Sequence, residues 1–395
     1  MRAGLPALIR CRRCAGIEAR YHSLVMRRFY VHNFRCLENF ELPVSGHSSL
    51  LLIGKNGSGK TSVGLALWIL RKIARGTNRV DKLVKPKDLA PGRREVPMRF
   101  EIQAELGGKV YEYIIALELP ENFKELRVLE EKLTVDGAPV YTRQQAQVHL
   151  VRAGRGEQKE PTFRVDWHLV ALPIVQELSH TDPLAIFKQW LARMLILRPT
   201  PSAIGGDSDY EVRVPFPSVK NFAAWFSGLL SDAPASYARI DEYLKQVMPD
   251  MRNIRNPLIG KDSRSLEVEF ADSQGSLTIP FKDLGDGEKC FMICALVLAA
   301  RHAYGPTVCF WDEPENYLSI NEVGDLILAL RRAFESGGQF IATSHNPEAI
   351  SRFSNENTFL LYRKSHLEPA TVRPLADLKI NGDLVSALIR GDVEP

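Results

Sequence analysis

The sequence predicts an α/β fold in which parallel strands alternate with helices, divided by a mainly helical inserted lobe. Three observations predict it. A glycine-rich loop, Gly54 to Thr61, stands between an apolar strand and an apolar helix. From about Leu266 onward strand-like and helix-like segments alternate, which is the pattern of a parallel sheet. An apolar run, Val308 to Trp311, ends abruptly in the paired carboxylates Asp312 and Glu313.

Along the chain, residues 1–25 are Arg-rich, acid-poor and weakly patterned, and read as a disordered tail or an extension from an upstream start codon, with a targeting leader as the alternative. Residues 26–140 form the first half of the core: a strand over Arg28 to Phe34, a second over Ser48 to Ile53, the glycine loop, and a helix from Thr61 that stops at Gly76. Apolar and polar residues then alternate over Met98 to Leu106 and Val110 to Leu119, as half-buried antiparallel strands require. Residues 141–264 read as the inserted lobe, with helical spacing near Leu184 to Leu197 and Val219 to Leu230 and no sustained heptads. The second half of the core spans 265–365: a strand over Leu266 to Phe270, a loop at Leu284 to Glu288, helices over Lys289 to Ala303 and Glu322 to Phe334, and strands over Thr307 to Trp311 and Gln339 to Thr343. Residues 366–395 read as a C-terminal tail.

With 395 residues, 45% hydrophobic and 25% charged, the chain can bury a large core. The most apolar stretch, Cys290 to Ala300, is shorter than the roughly 18 apolar residues a bilayer requires, so no membrane partner is expected and a cytoplasmic location is the simplest reading. The net charge of +4 comes from residues 1–25; beyond them the chain carries 46 basic and 46 acidic residues. A nucleic-acid contact would therefore have to be local, and the local candidate is Arg71 to Glu95, with nine Lys or Arg against three acids, otherwise a solvated surface. Six cysteines are scattered, only Cys11 and Cys14 form a C-x-x-C pair, and Cys290, Cys294 and Cys309 lie in apolar segments as buried thiols do. Neither a disulfide nor a structural metal is expected.

Gly54-Lys55-Asn56-Gly57-Ser58-Gly59-Lys60-Thr61 fits G-x-x-x-x-G-K-[ST], a phosphate-binding loop. Its glycines let backbone N–H groups turn toward phosphate at a helix N-terminus, where the helix dipole also favours an anion. Lys60 is expected on the β- and γ-phosphates of ATP, the Thr61 hydroxyl on Mg²⁺, and Ser62 beside them. Buried strands seldom end in Asp-Glu unless a cation offsets the desolvation of the carboxylates. Mg²⁺ is that cation, with Asp312 as its ligand and Glu313 as the base that deprotonates the attacking water. His345, in Thr343-Ser344-His345-Asn346 after the next strand, stands at the sheet edge where parallel folds present ligand-binding loops, and is expected on the γ-phosphate.

G-x-N-G-x-G-K-[ST], a D-E-P-E run, and S-H after the following strand resemble the ABC-type P-loop NTPase heads of the SMC, RecF and OLD-like ATPases over about 28–135 and 265–365. The opening Val31-His32-Asn33-Phe34-Arg35 is similar to the N-F-[RK] start of that group, which implies that Arg35 approaches the nucleotide. Such heads sandwich ATP between two subunits, with an L-S-G-G-Q-like loop of one capping the γ-phosphate held by the other. The matching segment here is Leu284-Gly285-Asp286-Gly287-Glu288-Lys289. Gly285 stands where the serine would be and Asp286 adds negative charge that Lys289 is expected to offset, which implies slow, regulated turnover. The family's Q-loop glutamine falls to Gln103, Gln144, Gln145 or Gln147.

The run Asp312-Glu313-Pro314-Glu315-Asn316-Tyr317-Leu318-Ser319 resembles OLD-like ATPases more than transporters, SMC coiled coils are absent, and the tail after His345 lacks a nuclease-type acidic cluster. The resemblance implies a stand-alone OLD-like ATPase, a sensor subunit that pairs through its heads and controls a separate effector, nuclease or toxin, in antiphage defence of the PARIS, Septu or retron-associated type. A RecF-like DNA-repair ATPase clamping DNA as an ATP-bound dimer, and a nucleotide-gated scaffold, are the other readings.

Overall fold

The computed structural model describes residues 24–151 and 161–378. Strands β1 (Leu24–His32), β2 (Phe40–Leu42) and β3 (Ser49–Ile53) lead into the glycine loop and helix α1 (Lys60–Ala74). Six strands follow: β4 (Met98–Leu106), β5 (Lys109–Glu118), β6 (Arg127–Val135), β7 (Ala138–Gln144), β8 (Gln147–Leu150) and β9 (Thr162–Arg164). They join β1 and β2 in an antiparallel sheet ordered β2-β1-β4-β5-β6-β7-β8-β9. Strict alternation of buried and half-buried residues along β4 shows why the sequence pattern there is so regular.

Next come α2 (Pro183–Ala192), β10 (Leu195–Leu197), β11 (Asp207–Ser208), α3 (Phe222–Asp232) and α4 (Ser236–Val247). Strands β12 (Met251–Arg255), β13 (Arg264–Ser265), β14 (Glu267–Ala271) and β15 (Ser276–Pro280) lead to α5 (Asp286–Tyr304). The chain continues through β16 (Val308–Asp312), α6 (Ile320–Glu335), β17 (Gln339–Thr343), α7 (Pro347–Ser351), β18 (Thr358–Tyr362) and β19 (Thr371–Pro374). The central sheet is ordered β10-β16-β17-β3-β18-β19, and only β19 runs antiparallel to its neighbour.

This sheet divides two cores. Leu50, Leu52, Val308, Phe310 and Ile341 face α1 and the antiparallel sheet, while Leu51, Ile53, Cys309, Trp311, Phe340 and Ala342 face α3 to α6. With both faces covered, β3 and β17 are buried at every residue and read as continuous apolar runs. At Gly64 on α1 a Cβ would lie 2.4 Å from the Phe310 ring, so the helix can approach the sheet this closely only with glycine there. A buried network fixes the far side of the first core. Glu131 accepts from Tyr113 and Tyr141 hydroxyls and from the Ala171 and Leu172 N–H groups, and lies 3.5 Å from the Arg143 guanidinium.

Several boundaries differ from expectation. β1 starts at Leu24, so Leu24 and Val25, assigned to the leading segment, pair with Leu106 and Glu105; residues 1–23, Cys11 and Cys14 among them, lie outside the described residues. The segment 141–264 holds helices over Pro183–Ala192 and Phe222–Asp232, but Leu195–Leu197, expected within the first helical stretch, form β10 at an edge of the central sheet, and the segment's first residues complete the antiparallel one. β14, expected in the parallel sheet, pairs antiparallel with β12 and β15 instead. β19 lies within the expected C-terminal tail, of which 379–395 fall outside the described residues. No helix among the described residues is long and apolar enough to cross a membrane.

Candidate active site

The glycine loop joins β3, in the middle of the sheet, to α1. Gly54, Gly57 and Gly59 have φ of +153°, +83° and +110°, backbone that side chains resist, and a Cβ at Gly54 would lie 2.2 Å from the Leu361 carbonyl oxygen of β18. Gly59 caps α1 without a side chain, so no capping side chain takes the N–H groups of the first turn, of which that of Ser62 bonds Gly59 O at 2.9 Å. They open on a cleft of about 570 Å³ lined by Asn56 to Ser62 with Arg35, Asp88, Glu313 and Arg363. Lys55, at the outer edge of the loop, is exposed. Ser58 Oγ is buried without a partner.

Lys60 is buried, and its Nζ donates to Gly54 O at 2.6 Å and Lys55 O at 3.4 Å. Burial lowers its pKa, against the opposing pull of Glu313, Asp312 and Glu315. An ammonium held only by neutral carbonyls is poised to gain from an arriving anion.

β17 lies between β3 and β16, which brings the ends of three strands to one edge. Thr61 Oγ1 donates to Asp312 Oδ2 at 2.9 Å and Thr343 Oγ1 donates to Asp312 Oδ1 at 2.6 Å, so both carboxylate oxygens are oriented. The Thr343 hydroxyl also accepts the Glu313 N–H at 3.0 Å. Glu313 sits at φ +52°, sparsely populated backbone that turns its side chain off the strand line toward the cleft. Its Oε2 accepts from Asn316 Nδ2 at 3.0 Å, and its Oε1 is 3.4 Å from His345 Nδ1. Beneath them Glu315, 4% exposed, accepts from the Ser344 hydroxyl and the His345 N–H, and burial raises the pKa of its carboxyl. A hydroxyl and a carboxylate side by side at the foot of a phosphate-sized cleft are the hard oxygen donors Mg²⁺ prefers, so Thr61 and Asp312 fit that ion.

Arg35, at φ +56°, reaches the cleft rim with its guanidinium on Asp88 at 3.2 and 3.3 Å. The signature-like residues are placed elsewhere. Gly285 caps α5, and Asp286 to Lys289 are its first turn rather than a loop. None of these five residues lines the phosphate cleft. The expected role of Lys289 needs correcting: the side chain is buried, with Nζ on the Lys282 and Pro201 carbonyls, so it offsets no charge at the surface. Arg71 is likewise no part of a basic surface, being 1% exposed with Nη2 on Pro215 O. Gln103, Gln144, Gln145 and Gln147 all belong to the antiparallel sheet and its turns, and none lines the cleft.

Four residues around Asp312 and Glu313 were missed by sequence reasoning, as was Asp88 at the cleft rim. Glu315 was visible as the second acid of the D-E-P-E run and Asn316 as the residue after it, while Thr343 opens the Thr-Ser-His triplet. Arg198, whose Nε is 3.8 Å from Asp312 Oδ2, had no signal, because the three-residue strand before it was hidden within the inserted segment.

Family models match two parts of the chain: "AAA ATPase domain" over residues 26–146, and "AAA domain, putative AbiEii toxin, Type IV TA system" over 180–351. No curated protein matches in sequence. Among solved structures, an SMC head bound to the C-winged helix domain of ScpA is 14% identical, covering 89% of this chain and 99% of that one at a TM-score of 0.51. The SMC head domain from Thermotoga maritima is also 14% identical, over 89% of this chain and 98% of that one, at a TM-score of 0.42. The first of these likenesses, over 89% of the chain, together with the site geometry and the two matched domains supports an ABC-like P-loop ATPase fold of the kind seen in SMC heads.

Proposed function

We propose that the chain binds ATP with Mg²⁺ and hydrolyses it slowly, pairing head to head as a regulatory subunit that controls a separate effector in antiphage defence. The observation that carries the catalytic part is the direct Thr61 to Asp312 bond, which joins the phosphate loop to the carboxylate strand in one subunit. The first-turn N–H groups of α1 and Lys60 receive the β- and γ-phosphates, Lys60 exchanging neutral carbonyls for charge. Mg²⁺ held by Thr61 and Asp312 supplies offsetting charge on the phosphates when bound. Glu313 orients the attacking water and accepts its proton. His345 faces the γ-phosphate, its ring set by Glu313 on one side and its main chain by Glu315 below. Arg35 and Asp88 border the nucleotide.

The Gly285 to Glu288 turn has no phosphate within its own subunit, so a second head is required to bring the two together. Mixing tests this. Gly287 is a poor probe, because a Cβ there would lie 3.0 Å from the Tyr317 carbonyl oxygen, whereas at Gly285 a Cβ meets only the Glu288 side chain. Lys60→Ala and Gly285→Arg subunits should each be inactive in phosphate release, and exchange between them should restore activity, since each mixed dimer keeps one intact site. Confirmed exchange with no recovery, while Gly285→Arg alone stays active, sinks the shared site.

The regulatory role draws support from the toxin–antitoxin description of the model that matches 180–351. A cytoplasmic location is part of this reading. Phage plating on cells carrying the gene with its neighbours should rise when Lys60→Ala is introduced. Unchanged plating together with ATP-dependent, salt-sensitive DNA retention would favour the RecF-like reading, for which the exposed Lys82, Lys85, Lys87 and Arg94 are the local basic candidates.

A further inference from the structure

Arg198 leaves the end of β10, the edge strand paired with β16, and its Nε stands 3.8 Å from Asp312 Oδ2, the oxygen that also receives the Thr61 hydroxyl. The side chain is 65% exposed and borders a recess of about 240 Å³ with Thr61, Glu313 and Asn316. Its main chain is held elsewhere. Arg198 N–H donates to Pro217 O at 2.7 Å and Thr200 N–H to Ser218 O at 3.3 Å. These carbonyls belong to a turn that contains Val219, buried at φ +56°, a conformation that β-branched residues resist and that persists only where its surroundings impose it.

The same turn is gripped from the other side. Arg71, on the helix that starts at the phosphate loop, donates to Pro215 O at 2.6 Å, while its Nε and Nη1 are buried without partners. Beyond Val219 the chain enters α3, the first helix packed on the second core. Thus one strained turn is connected to the phosphate-loop helix through Arg71, to Asp312 through Arg198, and directly to the inserted lobe.

We propose that the Arg198 guanidinium and a divalent cation are alternative occupants of Asp312, and that their exchange signals the nucleotide state to the inserted lobe through the 198–200 strap and the 215–219 turn. This rests on the reading of Asp312 as a Mg²⁺ ligand. Two cations cannot both stand at contact distance from one carboxylate oxygen without strong mutual repulsion. An exposed ion pair at 3.8 Å is a weak competitor, so an ion chelated jointly by Thr61, Asp312 and phosphate oxygens displaces it. Displacement releases the side-chain tie of the strap to β16, which loosens the N–H bonds of residues 198 and 200 to the strained turn and lets that turn relax. Arg198 acts through Asp312 and the strap, as a positioning residue.

The test compares the full chain with Arg198→Ala and Arg198→Lys, using ADP as the probe. At fixed ADP, the Mg²⁺ concentration for half-maximal tightening in calorimetry should fall about three- to fivefold in Arg198→Ala, up to the ceiling set by an exposed ion pair, and stay near parental in Arg198→Lys. Hydrogen exchange gives an independent readout. In the parent, adding Mg²⁺ to the ADP complex should speed exchange at residues 198 and 200, whereas in Arg198→Ala it should already be fast and insensitive to Mg²⁺. Half-saturation within twofold of the parent, or exchange in the parent that ignores Mg²⁺, overturns the proposal. A parent that binds no ADP overturns the ATP reading itself, while ADP binding without these Mg²⁺ effects overturns only the exchange of cations.

Discussion

Replacing Glu313 by Gln isolates the proton-accepting role of that carboxylate, because the rest of its surroundings tolerate the amide. Asn316 Nδ2 donates to Glu313 Oε2 at 3.0 Å, and a Gln carbonyl oxygen can receive that bond in the same place. The backbone is held at φ +52° by the Thr343 hydroxyl on the Glu313 N–H, a contact independent of the side chain. What the variant loses besides basicity is the attraction to His345 at 3.4 Å, and with the His345 side chain 61% exposed this is worth at most ~1 kcal/mol. ATP affinity should therefore stay within about fivefold of the parent, since Lys60, Thr61 and Asp312 are untouched. General-base catalysis contributes about 10²- to 10⁴-fold, so kcat should fall by at least 100-fold while binding persists. Single-turnover phosphate release and calorimetry measure the two quantities separately, and size-exclusion chromatography with ATP should show a dimer that the parent does not accumulate. Parental kcat in this variant would mean that another group, such as the buried Glu315 beneath His345, accepts the proton.

The other expectations probe the surroundings of that base. Lys60→Ala should abolish tight ATP binding, because it removes a buried ammonium whose present partners are only the Gly54 and Lys55 carbonyls; unchanged calorimetric affinity would refute the phosphate assignment. Glu131→Ala should destabilise the fold by about 3–5 kcal/mol in urea unfolding, because it leaves the buried Arg143 charge with carbonyl partners alone and takes the acceptor from the Tyr113 and Tyr141 hydroxyls and the Ala171 and Leu172 N–H groups; a loss under ~1 kcal/mol would show that the network is dispensable. Burial raises the folded pKa of Glu315 above its unfolded value, so its ionisation penalises the folded state increasingly as pH rises from the unfolded pKa through the folded one. The stability of Glu315→Gln relative to the parent should accordingly improve between pH 5 and pH 8, and a relative loss over that range would contradict the burial argument.

Legibility in the sequence followed how local each feature is. The phosphate loop, Asp312 with Glu313, and His345 each sit where one apolar strand ends, so a dozen consecutive residues carry the whole signal. Arg198 follows a strand of three residues whose only evidence is its pairing with β16, more than 100 positions away. β14 was misplaced although its residues spoke clearly: Val268 and Phe270 are buried while Glu267 and Glu269 are not, the alternation of a one-sided antiparallel strand rather than the continuous burial of β17. The nearness of Lys289 to Asp286 in sequence suggests a charge that offsets it, whereas the first turn of α5 buries Lys289 against carbonyls of the preceding segments.

The division of the molecule into two cores explains why these particular contacts matter. Thr61 and Lys60 belong to α1, which packs in the core shared with the antiparallel sheet, while the signature-like turn belongs to α5 in the other core. The sheet between them is the common boundary, and its edge is where Asp312, Thr343 and His345 stand. A small shift of one core against the other would change little within either, because each is packed continuously. At the boundary the same shift would lengthen the 2.9 Å bond from Thr61 to Asp312, or the tie from Arg198 to that carboxylate, and with it the geometry of the metal site. In the proposed function Asp312 is thus the point where hydrolysis and lobe movement would be coupled, because the phosphate-loop helix and the strap after β10 both reach its carboxylate.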